Sequence, residues 1–418
     1  MFALVDANSF YCSAEQVFRP DWRGKPVVVL SNNDGCIVAT NRQAREAGVQ
    51  KFKAYFEMRG LCEAKGVIAC SSNYELYGDL SAKMMEVIGR FAPEQHIYSI
   101  DESFLAFKRC EKSIPDLAFH GQKLRRAVWR ECRLPVCIGI SSTLTLAKVA
   151  NHAAKKIQGY QGVCIIDSPQ QRHQILSQLK TSDVWGIGSR ISKRLEYMGI
   201  NTALQLAQLK PGLARKSFNV EVERTVRELN GEPCKGWDEV RADKKQIFST
   251  RSVGERITCP DNLRQALCKH AAIAAEKLRR QQSLVKVMMV FASNSPYDER
   301  PQGFKQVYRF AYPTDDTTVI TKAVTAQLNS LFTEGVRYYK IGVGFIDLVS
   351  GKHAQGDLFD ESPSNPALMG VFDSLNKKYG NGSVFLAAQG INPKWSMKRE
   401  LLSPQYTTKW RDLPKIRC

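Results

Sequence analysis

The sequence predicts an α+β protein of several domains in which the element order β-α-β-β-α-β occurs twice. Three observations predict this class. Short apolar runs and amphipathic stretches follow that order in the N-terminal part of the chain and again after residue 241. A helical stretch, residues 170–232, separates the two repeats. From residue 351 onward the chain is rich in Gly, Pro, Ser and Asn and has little periodicity, which predicts a C-terminal tail.

The first repeat begins with "FALVD" (2–6), a short apolar run that ends in an acid and predicts a buried strand. Its further elements are predicted, in chain order, at 76–90 (helix), 97–100 and 104–107 (strands), about 116–132 (helix) and 136–141 (strand). Residues 11–75, which contain another apolar run at 25–31, therefore form an insertion after the first strand of a split-βαβ sheet.

The second repeat predicts another ferredoxin-like domain. Its elements are predicted at 247–258 (strand), 262–281 (helix), 284–292 and 304–312 (strands), about 317–332 (helix) and 338–349 (strand). The strand "FKQVYRFAY" alternates in polarity, so that it can bury Phe304, Tyr308, Phe310 and Tyr312 and present Lys305 and Arg309 to solvent.

Composition narrows the classes of partner. Lys and Arg outnumber Asp and Glu by 60 to 41, a net charge of +19, which favours a polyanionic partner such as a nucleic acid. The 12 cysteines include no Cys-x-x-Cys, which argues against a zinc site and for free thiols in a reducing compartment. No basic leader and no apolar run near the ~18 residues of a membrane helix are present, so we expect a soluble intracellular protein.

Two adjacent acids interrupt "IYSIDESF" (97–104), a stretch that otherwise favours a strand. Asp101 and Glu102 fall in the third element of the first sheet, and Asp6 ends the first. Since the first and third strands of a split-βαβ sheet are central neighbours, we expect the three carboxylates to lie together and to bind divalent metal. Taken singly, a strand-end Asp is usually a turn residue and an Asp-Glu pair a solvated hairpin face.

Several motifs together make the chain resemble a Y-family translesion DNA polymerase of the UmuC type. They are "LVDANSFYCSAE", "SNNDGCIVATNRQAR", "SSNYELYGD", "IYSIDESF", "GISSTLTLAKVANHAAKK" and "DVWGIGSRISKRL", and the similarity extends over nearly the whole chain. The resemblance implies a palm at 1–10 and 76–168, fingers at 11–75, a helix-hairpin-helix thumb at 169–235, a DNA-binding little finger at 241–350, and a tail at 351–418 that binds the clamp and partners.

The resemblance also implies roles for residues of the palm and fingers. Asp6, Asp101 and Glu102 would hold two Mg²⁺ ions together with the carbonyl of Ala7. Tyr11 would be the steric gate that excludes a ribose 2′-hydroxyl; Phe10 or Tyr11 could instead be core, and we assign Phe10 to packing. Arg45 and Lys155 would contact the nucleotide triphosphate. Arg42 lies three residues before Arg45 on the same predicted helix face, but its position is often Tyr in the family, so its nucleotide-binding role is left open.

Other motifs point to DNA. Gly186 and Gly188 open a helix that carries Lys193, an arrangement suited to gripping a phosphate backbone, although Gly-x-Gly alone is usually a turn. Residues 241–350 contain 17 Lys/Arg and 10 Asp/Glu, a net +7, which suits Lys305 and Arg309 for phosphate contacts. "QGDLF" resembles a sliding-clamp peptide, with Gln355, Leu358 and Phe359 as its anchors.

The function that the resemblance implies is error-prone, template-directed addition of deoxynucleotides to a primer across damaged DNA, in the SOS response. Its implied partners are primer-template DNA, dNTPs, a processed UmuD-type dimer, a RecA filament with ATP, and the sliding clamp, with no membrane; its implied location is the cytoplasm, at the nucleoid when active. Two alternatives are a non-catalytic DNA-binding scaffold and another palm-type enzyme such as a nucleotidyl cyclase.

Overall fold

A computed structural model describes residues 1–108, 110, 114–236, 243–353, 364–391 and 395–413. The chain divides into two compact units. Unit 1 comprises Met1–Ala242 together with Glu400–Cys418, and unit 2 comprises Asp243–Arg399. Within the described ranges, no helix has both the length and the apolar character needed to cross a bilayer.

The main sheet of unit 1 has five strands. Up to this sheet's last strand the elements are β1 (Phe2–Ala7), α1 (Phe10–Val17), β2 (Val27–Leu30), β3 (Ile37–Thr40), α2 (Arg42–Glu46), α3 (Tyr55–Ala64), β4 (Ile68–Ser71), α4 (Tyr74–Gly89), β5 (Glu94–Ile97), β6 (Glu102–Ala106), α5 (Leu117–Cys132), β7 (Val136–Ser141), α6 (Leu144–Lys156) and β8 (Val163–Ile166). The strand order is β5-β6-β1-β7-β8. The split-βαβ arrangement of β1, β5, β6 and β7 is as predicted. The fifth strand of the sheet, β8, is parallel to β7 and was not predicted.

The hairpin that carries the paired acids differs from the prediction. We expected a strand at 97–100, but β5 ends at Ile97 and the chain turns before β6 begins at Glu102. The amides of Tyr98 and Ser99 donate to the Glu102 carbonyl at 3.0 and 3.1 Å and close this turn. Asp101 therefore lies in the turn and only Glu102 belongs to the third strand. The turn leaves Asp101 partly exposed, and the Glu102 carboxylate is paired with Lys148.

The insertion forms a small sheet of its own, with strand order β3-β2-β4. Every residue of the apolar run Val27–Leu30 is buried, because this strand is covered on both faces. The sequence predicted β2 but neither of its neighbours. Helix α2, which follows β3, begins at an N-cap, Asn41, whose side chain accepts a hydrogen bond from the Ala44 amide.

Helix α6 packs unusually close to the main sheet. A side chain at Gly139 on β7 would overlap the backbone of Ala147 and Asn151, so only glycine permits this approach. The Asn151 amide group then donates to the carbonyls of Leu4 (3.2 Å) and Cys137 (2.7 Å), which locks α6 onto β1 and β7. This contact fixes where the basic residues of α6 lie relative to the end of β1.

The helical segment after the sheet contains five helices: α7 (Pro169–Gln178), α8 (Ser189–Tyr197), α9 (Ala203–Ala207), α10 (Pro211–Ser217) and α11 (Val220–Leu229). Glu228 of α11 is fully buried, and its carboxylate accepts hydrogen bonds from the amide and hydroxyl of Thr145 at 2.9 and 2.6 Å. These charge-assisted bonds join the segment to the start of α6.

Unit 2 has the predicted element order but not the predicted strand order. Its elements are β9 (Ile247–Ile257), α12 (Pro260–Arg280), β10 (Ser283–Ser293), β11 (Gly303–Thr314), α13 (Thr317–Ala326), α14 (Leu328–Leu331), β12 (Tyr338–Ser350) and α15 (Pro366–Tyr379). The antiparallel sheet has the order β11-β10-β12-β9, so its first strand lies at an edge rather than in the centre. The expectation of a second ferredoxin-like sheet is therefore wrong in its pairing.

The C-terminal stretch is more structured than its composition suggested. Helix α15 belongs to unit 2, where Arg279 of α12 makes a two-pronged ion pair with Asp373 at 2.7 and 2.8 Å. Residues 400–413 return to unit 1, where Leu401 and Ser71 exchange hydrogen bonds of 2.9 Å. The predicted clamp anchors Gln355, Leu358 and Phe359 lie outside the described residues.

Candidate active site

Strand pairing brings the three predicted acids together where the central strand β1 ends and its neighbour β6 begins, a place that we call the acidic edge. Asp6 lies directly opposite Glu102 in the antiparallel pair of β1 and β6, so both side chains leave the same face of the sheet. Asp101 is joined to them through the backbone, because its carbonyl accepts a 2.9 Å hydrogen bond from the Ala7 amide. Residues some 95 positions apart thus meet, as the strand order predicted.

Each acid has its own polar neighbour. The Lys155 ammonium lies 2.6 Å from Asp6 Oδ2, and the Lys148 ammonium lies 2.7 Å from Glu102 Oε1. Asp101 Oδ1 accepts a 2.6 Å hydrogen bond from the Ser99 hydroxyl. The two lysines are seven residues apart on α6, so the same helix face neutralises both strand acids.

The electrostatics of Asp6 show that the acids act on one another. Burial raises the pKa of Asp6 from 3.8 to about 6; Lys155 opposes this rise, whereas Glu102 and Asp101 add to it. A divalent cation would relieve both the burial and the mutual repulsion of these carboxylates. The acidic oxygen donors are of the kind that Mg²⁺ prefers.

Among the described residues, no three or more His, Cys, Asp and Glu side chains already stand as a cluster of metal ligands. Lys148, Lys155 and Ser99 each hold one of the three carboxylates. The donor set and its charge fit a divalent metal, and binding one requires these contacts to be exchanged.

A pocket of about 470 Å³ opens beside the acids. Its lining residues are Asp6, Ala7, Ser9, Phe10, Tyr11, Val38, Ala39, Thr40, Arg45, Val49, Lys51, Ile100, Asp101 and Lys155. The volume suits a nucleotide-sized ligand. Acids and cations both line this pocket, which we call the nucleotide pocket after the ligand that the sequence analysis predicts for it; Glu102 is not among its lining residues.

The aromatic residues at the start of α1, Phe10 and Tyr11, both line the nucleotide pocket but differ in burial. Phe10 is buried in the core at 3% exposure, whereas Tyr11 is partly exposed. The Tyr11 ring stacks on the buried ring of Tyr77, with centroids 4.7 Å apart and an angle of 17° between the planes. This stacking fixes the orientation of Tyr11.

The two arginines of α2 have different environments. Arg45 lines the nucleotide pocket and donates to the Thr40 carbonyl at 2.7 Å. Arg42 pairs with Glu46 at 2.6 Å on the solvent side and does not line that pocket. Glu46, at i+4, holds the Arg42 guanidinium outside the nucleotide pocket, although both arginines line a second cleft described below.

The structure also brings in residues that the sequence analysis did not assign. Lys51 lines the nucleotide pocket, and Lys148 is enclosed by the rings of Tyr98 (4.5 Å), Trp185 (5.3 Å) and Phe104 (5.9 Å from the centroid). A cation held over aromatic faces is stabilised by their negative centres. The spacing of Lys148 from Lys155 was the available signal, although its carboxylate partner could not be read from it.

The predicted DNA-backbone residues are not among the lining residues of this pocket. Gly186 has a φ of +90°, and Gly188 is the N-cap of α8, on whose exposed side Lys193 lies. In unit 2, Lys305 and Arg309 are exposed on β11, while Phe304, Tyr308 and Phe310 pack against the core. The alternation predicted for this strand is present.

Sequence comparisons cover both units. Residues 5–152 match the impB/mucB/samB family, residues 244–358 match the C-terminal domain of that family, and residues 366–416 match a domain of unknown function, DUF4113. The chain is 42% identical to protein UmuC of Salmonella typhimurium over 423 residues, which cover 100% of each protein. It is 42% identical to protein MucB of Escherichia coli, covering 99% of both. It is 23% identical to DNA polymerase IV of Pelotomaculum thermopropionicum, covering 93% of this chain and 95% of the relative.

Solved structures give the same kind of match. A Y-family DNA polymerase chimera of Dbh and Dpo4 superimposes with a TM-score of 0.64 at 17% identity, covering 84% of this chain and 100% of that one. An insertion ternary complex of Dbh DNA polymerase superimposes with a TM-score of 0.53 at 18% identity and the same coverage. At these identities the match concerns the fold.

Proposed function

The chain belongs to the impB/mucB/samB family, and on that premise we propose that its β1–β6 edge is the catalytic centre of a translesion DNA polymerase. It is a DNA-directed DNA polymerase of the error-prone Y-family type that acts in the SOS response to DNA damage. The single observation that carries the site assignment is the placement of Asp6 opposite Glu102, with Asp101 in the adjoining turn. The assigned regions are the palm (1–10, 76–168), fingers (11–75), thumb (169–235), little finger (241–350) and tail (351–418).

In the proposed reaction, the primer 3′ oxygen bonds to the α-phosphorus of a dNTP, the α–β phosphoanhydride bond breaks, and pyrophosphate leaves. Asp6, Asp101, Glu102 and the Ala7 carbonyl would hold two Mg²⁺ ions. When bound, these supply polarisation of the α-phosphate, a lower pKa of the primer hydroxyl, and neutralisation of the leaving group. The protein contributes mainly by positioning charge.

The cationic side of the nucleotide pocket is assigned to the triphosphate. Arg45 and Lys155 bind its oxygens, and Lys51 adds a third positive charge on the same pocket wall. Lys155 reaches both Asp6 and the pocket, so it can exchange a carboxylate for a phosphate without moving its backbone. Arg42, paired with Glu46, has no assigned contact with this nucleotide.

Tyr11 is assigned as the steric gate against ribonucleotides. Its ring lies in the nucleotide pocket and cannot rotate freely, because the Tyr77 ring covers one of its faces. A fixed ring excludes a 2′-hydroxyl more effectively than a mobile one, since no rotation makes room for the extra oxygen.

DNA and protein partners are assigned to surfaces outside the pocket. Gly186, Gly188 and Lys193 would grip the DNA backbone, as would Lys305 and Arg309, and none of these contacts would read sequence. Gln355, Leu358 and Phe359 would bind the sliding clamp. A processed UmuD-type dimer and a RecA filament with ATP complete the proposed assembly, which would work on DNA in the cytoplasm, at the nucleoid.

Primer extension past an abasic site tests this proposal. The wild-type chain, with Mg²⁺, dNTPs, a UmuD-type partner and activated RecA, should extend the primer past the lesion, whereas Asp101→Asn should not. Salt-sensitive DNA binding by both proteins with no extension by either would support the non-catalytic scaffold instead. Product from nucleotide alone, without a primer, would indicate a cyclase-like enzyme.

A further inference from the structure

A second cleft of about 760 Å³ lies in unit 1 beside the nucleotide pocket. The two share Ser9, Arg45 and Lys155, so the second cleft begins where the cationic side of the nucleotide pocket ends. Its walls come from the turn after β1, from α2, and from the C-terminal ends of α5 and α6. We call it the basic cleft.

The basic cleft carries only positive charge. Seven of its lining residues are basic: Arg23, Arg42, Arg45, Arg125, Arg133, Lys155 and Lys156. None of its lining residues is Asp or Glu, whereas the nucleotide pocket contains Asp6 and Asp101. A concave surface of one sign focuses its field on a ligand of the opposite sign, so the fitting ligand is a compact, multiply charged anion.

Three of these cations lack a competing acid. Within the described part of the chain, no carboxylate pairs with Arg23, Arg133 or Lys156, and the Arg23 guanidinium lies 5.3 Å from the ring centre of Trp129. The other cations are engaged: Arg42 contacts Glu46, Arg125 donates to the Val136 carbonyl at 2.8 Å, and Lys155 contacts Asp6. The cleft therefore has more positive charge than its own protein contacts use.

We propose that the basic cleft is an oligophosphate site that receives pyrophosphate as it leaves the nucleotide pocket. The proposal rests on the proposed polymerase function, which supplies this product next to the shared residues Arg45 and Lys155. Pyrophosphate that passes into the cleft moves away from the carboxylates of Asp6 and Asp101 towards Arg23, Arg133 and Lys156. Both changes favour departure of the anion from the nucleotide pocket.

A triple variant, Arg23→Gln/Arg133→Gln/Lys156→Gln, tests this site. Arg130→Gln is the matched control, because Arg130 is an exposed arginine of α5 that does not line the cleft. The inhibition constant of pyrophosphate in primer extension should rise about tenfold in the triple variant, equal to ~1.4 kcal/mol of binding, and stay unchanged in the control. The KM for dNTP should change by less than about twofold, because Arg45 and Lys155 remain.

Other outcomes would overturn the proposal. An unchanged pyrophosphate inhibition constant would show that the cleft does not hold the product. A raised KM for dNTP with unchanged pyrophosphate inhibition would make it a triphosphate entry route. A loss of affinity for DNA alone would make it a backbone contact.

Direct binding separates this proposal from the proposed function. Titration of the full chain with inorganic pyrophosphate, without DNA, should show binding in wild type and in Asp101→Asn but not in the triple variant. Failure of wild-type extension with this binding pattern intact would contradict the polymerase assignment and leave the site in place. If the triple variant binds pyrophosphate as well as the wild type does, the basic cleft is not the pyrophosphate site, even if the protein is an active polymerase.

A second, independent inference concerns the segment Glu400–Leu413, which we call the strap. Its Ser403 and Pro404 accept hydrogen bonds from the Asn73 amide group at 2.9 to 3.3 Å, and the Tyr406 ring stacks on Phe18 at 4.6 Å. These contacts place the strap against α1 and the start of α4, the two helices that carry Tyr11 and Tyr77.

Two buried side chains, on the same helices that the strap contacts, support the Tyr11 ring. The Glu15 carboxylate, 1% exposed, accepts a 2.6 Å hydrogen bond from the Tyr77 hydroxyl, and the Tyr77 ring stacks on Tyr11. Burial raises the pKa of Glu15, and the hydrogen bond from Tyr77 opposes this rise. A buried carboxylate loses its hydration, so its partners are held firmly in place.

We infer that Glu15 and Tyr77 are positioning residues for the sugar-selecting ring of Tyr11, and that the strap holds them. This inference rests on the assignment of Tyr11 as the gate. The strap lies within residues 366–416, which match DUF4113, and this inference assigns to the strap a role in the nucleotide selectivity of unit 1.

The readout is the ratio of kcat/KM for dNTP to that for the matching rNTP. Tyr77→Ala should lower this ratio about tenfold, and Tyr77→Phe, which keeps the stacked ring, should restore most of it. Glu15→Gln and Ser403→Ala should lower it less, about two- to fivefold. Trp410→Ala is the matched control, since Trp410 is a strap residue that is 89% exposed, and it should leave the ratio unchanged.

An unchanged ratio in Tyr77→Ala and Ser403→Ala would overturn the inference. Equal loss of dNTP and rNTP incorporation would also overturn it, because a merely structural role has that effect. Tyr11→Ala separates the two assignments: if it leaves the ratio unchanged, the gate assignment itself is wrong.

Discussion

In unit 1 the first strand of the β-α-β-β-α-β order, β1, lies at the centre of its sheet; in unit 2 the first strand, β9, lies at an edge. In unit 1 this pairing sets Asp6 opposite Glu102. In unit 2 the central strands β10 and β12 bring Val287 opposite Asp347. The comparison teaches that the order of elements does not create a site; the strand pairing and the residues at the strand ends do.

The largest effect is expected on catalysis, from a substitution at the acidic edge of unit 1. Asp6→Asn should lower kcat/KM about 10³-fold, ~4 kcal/mol of transition-state stabilisation, because it removes a charge from the metal site. Asp347→Asn is the control from the other sheet, an exposed strand acid, and should change the rate by less than about twofold. Steady-state single-nucleotide insertion measures both, and equal losses would contradict the contrast.

The next effect concerns how closely a neighbouring group approaches a strand glycine in each sheet. Gly139→Ala should destabilise unit 1 by about 3 kcal/mol or more, since the added methyl would overlap the backbone of Ala147 and Asn151. Gly344→Ala should cost unit 2 only about 1 kcal/mol, because the overlapping group is the side-chain ring of Phe248, which can rotate. Urea unfolding of both variants checks the order, and a larger cost at Gly344 would contradict it.

The two units should respond oppositely to mild acid. Burial lowers the pKa of His270 from 6.5 to about 4, so the unfolded chain binds the proton first and stability falls as the pH drops below 6.5. Between pH 7 and pH 5 unit 2 should lose about 2 kcal/mol, and His270→Gln should remove most of this dependence.

The sign reverses for unit 1. The pKa of Asp6 is raised to about 6, so between about pH 4 and pH 6 the folded state binds the proton more readily. In the absence of metal, acidification from pH 7 to pH 5 should therefore favour folded unit 1 by about 1 kcal/mol. Hydrogen exchange of peptides from each unit, corrected for the intrinsic rate at each pH, separates the two responses; parallel changes would contradict them.

The smallest effect lies on the exposed face of unit 2. Lys305→Gln and Arg309→Gln should each weaken DNA binding about two- to fivefold, equally for all sequences, and reduce the salt slope by about 0.9. Lys322→Gln on α13 is the control, since Lys322 is exposed on a helix rather than on the sheet. Fluorescence anisotropy at several salt concentrations measures the slopes, and the same loss in all three variants would mean that only net charge matters.

Much of unit 1 could be predicted because its signals are local or depend on a common pairing rule. "FALVD" and "IYSIDESF" mark strands by composition, and the split-βαβ order brings Asp6 to Glu102. Asp101 was assigned to a strand element but lies in a turn. The composition of residues 97–101 favours a strand and does not mark where β5 ends. The pairing in unit 2 could not be predicted, because a given element order is compatible with more than one strand order.

The remaining errors have physical reasons of their own. The contacts of Lys148 and Lys155 with the acids depend on how closely α6 approaches β7. Gly139 permits this approach, but a glycine in a strand does not by itself predict it. The strap bonds to Asn73 some 330 residues earlier, and no periodic pattern signals such a contact. Arg42 is different, because Glu46 at i+4 was visible in the sequence and predicts the observed ion pair.

We expect Asp6, Asp101 and Glu102 to bind divalent metal, and Mn²⁺ binding tests this without relying on catalysis. Electron paramagnetic resonance of the full chain, with primer-template DNA and a non-hydrolysable dNTP, counts the bound ions. We expect about two ions per wild-type chain, strongly reduced binding in Asp101→Asn and Glu102→Gln, and wild-type binding in Asp347→Asn. Wild-type Mn²⁺ binding by Asp101→Asn and Glu102→Gln would show that the metal lies elsewhere and would contradict the account.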